Sequence, residues 1–262
     1  MKSESAFSTF HYHACAHAFS GRFTRPFDHL IDVQAASSLP VIGGHGNSRV
    51  ENFQFREFVS FKKGYTHVSG AHQADDNSNN TLVTATLEGL NILDILTADR
   101  VVARLYSKHP AGDAEGLVTM VGSKFENLKI AGYKVDVDLD CELFENIRTF
   151  KDAQKAFEKD AAFRKIALDP FHTGRELQPQ GPNGAFVCSL VKEMNTSCPC
   201  VTRTGHSFYV HGFGKIFLGE LMIVHGERTL TMIRLELGSA VSGSGSVSAA
   251  TSNGRQYPPP PG

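Results

Sequence analysis

The residues best suited to chemistry lie near the N-terminus, where His11, His13, Cys15 and His17 occupy every second position. In an extended strand alternate side chains share a face, so these four point the same way, with neighbours about 7 Å apart. Imidazole and thiolate are ligands for Zn and for other transition metals such as Cu or Fe(II). One strand cannot wrap all four round a single ion, because His11 and His17 lie roughly 20 Å apart. The spacing therefore predicts a metal site built on His11 and His13 with a third ligand from elsewhere. The turn Gly43-Gly44-His45-Gly46-Asn47 can bring an imidazole back to that strand, which makes His45 the first choice. His67 and His72 follow, on opposite faces by alternation. The competing expectation is a polar sheet face carrying hydrogen-bonded histidines.

A second candidate is His211-Gly212-Phe213-Gly214-Lys215 with Gly219-Glu220. Glycines inside strand-like sequence mark a bulge or a close crossing. A ligand pocket there would use Tyr209, His211 and Phe213, with Phe208 and Phe217 as further aromatic walls. Core packing is the competing role for such rings. Asp136, Asp138 and Asp140 begin like a calcium loop, but Cys141 stands where that loop needs glycine and Ile147 where it needs glutamate. They read instead as the acidic outer face of a strand. Asp75-Asp76-Asn77 is a weaker oxygen-rich loop. Cys188-Ser189 and His206-Ser207 belong to no nucleophile elbow or cysteine-protease signature, so no catalytic residue is assigned. There is no phosphate-binding glycine loop.

These residues sit on a chain that mostly alternates with period two, the mark of strands. Phe10, Tyr12, Ala14, Ala16 and Ala18 make an apolar face opposite the histidines, with Phe19 on the histidine side. Phe53, Phe55, Val59 and Phe61 share a side. Residues 73–80 are a polar loop. Strands are expected at 81–88 and 100–108, while the stretch between them fits neither period. Residues 117–130 look extended, with a turn at Ala131-Gly132. The segment 149–168 is the clearest helix: Thr149 and Asp152 resemble a capping box, and Phe150, Ala153, Phe157 and Ala161 form a stripe. The segments 215–225 and 229–237 form a hairpin about His225-Gly226, with Thr231, Ile233, Leu235 and Leu237 on one face. From Gly238 the chain is rich in Ser, Gly and Ala and ends in four prolines and a glycine, a composition expected to be flexible. The fold class expected is mostly β, an antiparallel sandwich or barrel with one helical insertion at about 149–168. Residues 1–237 would form one domain and 238–262 a tail.

The chain has 262 residues, with 26 Lys and Arg against 27 Asp and Glu and a net charge of −1. That length supports a real core. The balance argues against nucleic acid as partner. His11, His13 and His17 interrupt any signal-like apolar run, and no stretch approaches the ~20 apolar residues of a membrane helix. A cytoplasmic location follows as the expectation. The five cysteines are odd in number, and only Cys198 and Cys200 lie close, so reduced thiols are expected.

Residues 84–107 with 122–135, and residues 213–238, resemble uncharacterised bacterial β-rich proteins of the choice-of-anchor kind. The first pair carries the strand, leucine-rich turn and Thr-Ala-Asp pattern of that group. The resemblance implies a bacterial β-rich protein and no activity. The leading expectation is a non-catalytic structural or binding module that self-associates into a homo-oligomer. The alternatives are a metal-dependent β-barrel enzyme acting on a small molecule through His11, His13 and His45, and a carrier with phenylalanines lining a cavity. The only cofactor in view is Zn or another transition metal.

Overall fold

The structure is a computed structural model and describes residues 9–113, 115–147, 149–168, 184–238 and 240–257. Those residues form the strands β1 (Thr9–Arg25), β2 (His29–Gln34), β3 (Ser37–Ser38), β4 (Gly44–Phe55), β5 (Val59–Gln73), β6 (Ser78–Ile92) and β7 (Leu96–Pro110). Short strands follow: β8 (Leu117–Thr119), β9 (Lys124–Glu126), β10 (Lys129–Ile130) and β11 (Tyr133–Leu139). Two helices, α1 (Phe150–Lys159) and α2 (Ala161–Leu168), precede β12 (Ala185–Ser189), β13 (Val191–Thr196), β14 (Val201–Thr204) and β15 (Ser207–Val210). The chain closes with β16 (Gly214–Val224), β17 (Glu227–Leu237) and β18 (Ser242–Tyr257).

The strands make two antiparallel sheets, as the mostly-β expectation required. One runs β14-β15-β16-β17-β18-β1-β2, with β12 on β16 and β3 on β1. The other runs β13-β11-β10-β7-β6-β5-β4, with β8 and β9 on β7. They pack face to face as a sandwich around one core. Ala18, Leu230, Ile233 and Val247 of the first sheet are fully buried, as are Val83, Ala85, Leu87, Val101 and Leu105 of the second. The helices lie over β12, where Phe150, Phe157 and Phe163 ring Phe186 at centroid distances of 5.4, 5.7 and 6.0 Å.

Three expectations need correction. The chain from Gly238 is not a loose tail: β18 lies between β1 and β17, in the middle of its sheet. Its small residues fit because the neighbours crowd it; a Cβ on Gly243 would come 2.2 Å from the Arg22 carbonyl oxygen, and one on Gly254 2.3 Å from the Phe10 ring. The helix of 149–168 is two helices. The Thr149–Asp152 capping box is present, but the Asp160 carboxylate accepts from the N–H of Ala162 at 2.8 Å and of Phe163 at 3.3 Å, starting a second helix. The buried stripe therefore continues through Phe163, while Ala161 is exposed.

The third correction concerns alternation. Phe19 is buried beside Ala18, and Thr231 parts from Ile233. The cause is a row crossing the first sheet. Ladder pairing lapses between Gly219 and Met232, Met232 and Ser248, and Ser248 and Ala18, while register on both sides is kept. Gly219 on β16, Ser248 on β18 and Ala35 in the bend between β2 and β3 have φ of 60°, 48° and 50°. Each strand spends one residue at the row, so outward-facing side chains resume three positions later instead of two. The second sheet repeats the device at Asn52, Gly89 and Asn127, with φ of 53°, 67° and 50°.

Candidate outer-face groove

The row of extra residues positions a polar stripe on the outer face of the first sheet. On β1 it leaves His17 and Ser20 both facing out, and on β17 Thr231 and Arg234. Across the strands, Phe217, Arg234, Ser246 and Ser20 lie level with one another. His17 Nε2 is 2.9 Å from Ser246 Oγ and 3.4 Å from Ser20 Oγ, and the two hydroxyls are 2.8 Å apart. Burial holds His17 below the ordinary imidazole value, so its ring is neutral at neutral pH.

At the other end of the stripe Arg234 Nε donates to Glu220 Oε2 at 2.6 Å and Nη2 to Oε1 at 3.1 Å. His206 Nε2 lies 3.2 Å from Glu220 Oε1. The Arg234 guanidinium also covers the Phe217 ring at 3.6 Å and donates to Glu236. Burial pushes Glu220 up, but hydrogen bonds from His206 and Arg234 and their charge outweigh it and leave its carboxyl below the ordinary value.

Between these ends the surface sinks into a groove of about 580 Å³. Ser20 and Ser246 belong to its floor, Arg234 and Glu236 to one wall, and Leu30, Asp32 and Val33 of β2 to the other. Its cations are paired: Arg22 with Asp28, and Arg234 with two glutamates. The groove presents hydroxyls, apolar surface and the Asp32 carboxylate.

A serine within hydrogen-bond reach of a neutral imidazole has the first two parts of a nucleophile and its base. The remaining parts are not assembled. Among the described residues no carboxylate bonds His17, and Ser246 lies on a strand laddered on both sides, which commits the backbone N–H groups an oxyanion would need. The arrangement can hold a ligand more readily than turn one over.

The residues singled out by sequence are placed otherwise. His11 and His13 face out on β1 as the alternation predicts, and His11 stacks on Tyr257 at 5.6 Å. His45 stands on β4, at the edge of the other sheet. No group of three His, Cys, Asp or Glu converges among the described residues, so the His11, His13 and His45 site is not assembled. His67 and His72 are exposed on β5. Tyr209 and His211 are exposed, whereas Phe213 is buried in the core, so these three line no common pocket. Asp136 and Asp138 are exposed on β11, as an acidic strand face, and Asp136 pairs with Lys134. The phenylalanines around Phe55 and Phe58 pack on one another. Sequence reasoning missed Ser20, Ser246, Glu220 as an ion-pair centre, and Arg234. The glycine at 219 was the one available signal.

A model of the family described as "Domain of unknown function (DUF8256)" matches residues 10–176 and 169–224. No curated protein and no solved structure matches the chain. Among the described residues no helix is long and apolar enough to cross a membrane.

Proposed function

This chain belongs to the DUF8256 family, and from that premise we propose that it is a non-catalytic β-sandwich module that binds a second copy of itself. One observation carries the reading. Nine large hydrophobic residues are exposed among the described residues, and four of them, Leu30, Val33, Val41 and Ile42, lie within residues 29–42. That segment borders β1 along β2, β3 and the bond from Tyr12 N–H to Val41 C=O. It forms the rim of the first sheet. Leu30 is 67% exposed and Ile42 88%. An open edge carrying apolar side chains is a template for another strand. Pairing of two such edges about a two-fold axis would extend the sheet across both copies.

The near-neutral net charge leaves little repulsion against this pairing. The five free thiols fit a reducing compartment, and the cytoplasm is the location we propose. The metal-enzyme and carrier readings have no comparable observation behind them.

Size-exclusion chromatography with light scattering tests this reading. The protein should run as a dimer at micromolar concentration. Joint substitution of Leu30→Lys and Ile42→Lys should return it to a monomer with an unchanged unfolding midpoint, since both side chains are solvent-facing. A wild-type protein that stays monomeric overturns the reading.

A further inference from the structure

The groove on the outer face of the first sheet has serines along its floor and a carboxylate on each wall. β18 and β1 lie between β17 and β2, so the walls stand three strand spacings apart, about 14 Å between backbones. Two rungs cross the floor. Arg234, Ser246 and Ser20 lie level on one, and Glu236, Ser244, Arg22 and Leu30 on the next. The short serine side chains keep the middle low, while Glu236 rises on β17 and Leu30, Asp32 and Val33 on β2.

The walls carry a surplus of negative charge. Arg234 shares its one positive charge between Glu220 and Glu236, and Arg22 is cancelled by Asp28. Asp32, on β2, has no ion-pair partner among the described residues. Lys215, exposed and level with Glu236 on β16, forms no ion pair among them either. The floor adds acceptors. The Ser20 and Ser246 hydroxyls bond each other at 2.8 Å, and with two lone pairs apiece they keep capacity to accept.

We propose that this groove binds a linear polyamine, a chain of ammonium groups joined by methylenes. The separation of the charges selects that class. Carboxylates on walls this far apart cannot share one metal ion, whose bonds to oxygen are about 2.0–2.6 Å, and no group of three His, Cys, Asp or Glu converges among the described residues. A polyamine places one ammonium at Asp32 and another at Glu236. An amine between them donates to the serine hydroxyls, and the methylenes pack on Leu30 and Val33. The volume of about 580 Å³ falls within the roughly 300–1,000 Å³ of small-molecule sites. Each copy carries the whole groove. Edge pairing would add a strand beyond β2 and leave the groove open, so binding does not depend on self-association.

Isothermal titration calorimetry of the full chain with spermidine tests the proposal. The expected result is one spermidine per chain, with affinity falling as salt rises. A hydrogen bond to a charged group is worth about tenfold or more, so Asp32→Asn and Glu236→Gln should each weaken spermidine binding by about that factor. Octylamine, which has the hydrocarbon but a single ammonium, should bind more weakly than spermidine by about the same factor. Ser244 is exposed on the floor, so Ser244→Arg should abolish binding and keep the wild-type melting midpoint. Glu193, exposed on β13 of the other sheet, is the control, and Glu193→Gln should bind as the wild type does. The proposal is overturned by a wild type that does not bind millimolar spermidine, or by octylamine binding as tightly. Wild-type affinity in Asp32→Asn, Glu236→Gln or Ser244→Arg, or loss of binding in Glu193→Gln, overturns it too.

Discussion

Glu220 shows how a single side chain couples the outer face to stability. A carboxylate held below its unfolded value stabilises the fold above the unfolded pKa of about 4.3 and loses that contribution as pH falls through the folded value. The depressed value of Glu220 therefore predicts falling stability on acidification below about pH 4.3. Breaking a fully buried pair costs about 3–5 kcal/mol. The Arg234 side chain is 34% exposed and keeps Glu236, so Glu220→Gln should cost about 2–3 kcal/mol at neutral pH. Urea unfolding across the acid range checks this. The gap between wild type and variant should shrink toward low pH; a constant gap would show that the ionised carboxylate contributes nothing. At this scale the sequence was legible only along a strand. The outward set of His11, His13 and Cys15 follows from alternation and is observed. His17 meets Ser246 across 229 positions, and Glu220 meets Arg234 across 14. Such meetings depend on strand order, which period-two patterning does not encode.

The row of extra residues is the element-scale feature on which the groove depends. Gly219 takes φ of 60°, and a Cβ there would lie 3.4 Å from that of Leu190, an ordinary contact. The cost of Gly219→Ala is therefore conformational, about 1–2 kcal/mol for a left-handed L-residue. Gly238 has no positive φ, and a Cβ added to it would meet no atom within 4 Å, so Gly238→Ala should be neutral or slightly stabilising. Thermal unfolding of the two variants checks the contrast, and equal midpoints would contradict a left-handed residue at that point of the row. The hairpin about His225-Gly226 was legible because glycine marks its turn, and Gly226 has φ of 70°. The turn between β6 and β7 was not, because Leu93 and Asp94 both adopt φ of 55° in positions where Asn-Gly is the usual signal. The break between α1 and α2 was also hidden: one carboxylate, Asp160, decides it, and the amphipathic period runs through it.

At the scale of the whole molecule, composition misled most where it looked simplest. Ser, Gly and Ala in 242–257 read as a linker because such residues bury little apolar surface by themselves. Burial is a property of the assembled sheet, and β18 carries ladders to β1 on one side and β17 on the other. Val247 and Ala250 face the core, and Ser248 Oγ donates to the Val101 carbonyl of the opposite sheet at 3.0 Å. The N-terminal and C-terminal long strands are thus neighbours, and the sandwich closes only when the last segment arrives. Ending the chain at Gly238 should therefore abolish the fold. It strips the paired edges of β1 and β17 and opens the core over Val101, a loss larger than the roughly 5–15 kcal/mol that holds a typical domain together. Circular dichroism and thermal unfolding of the shortened chain should show no cooperative transition. A linker would behave in the opposite way, because its removal would leave the melting midpoint unchanged. The two outcomes distinguish a central strand from a tail without reference to any ligand or partner.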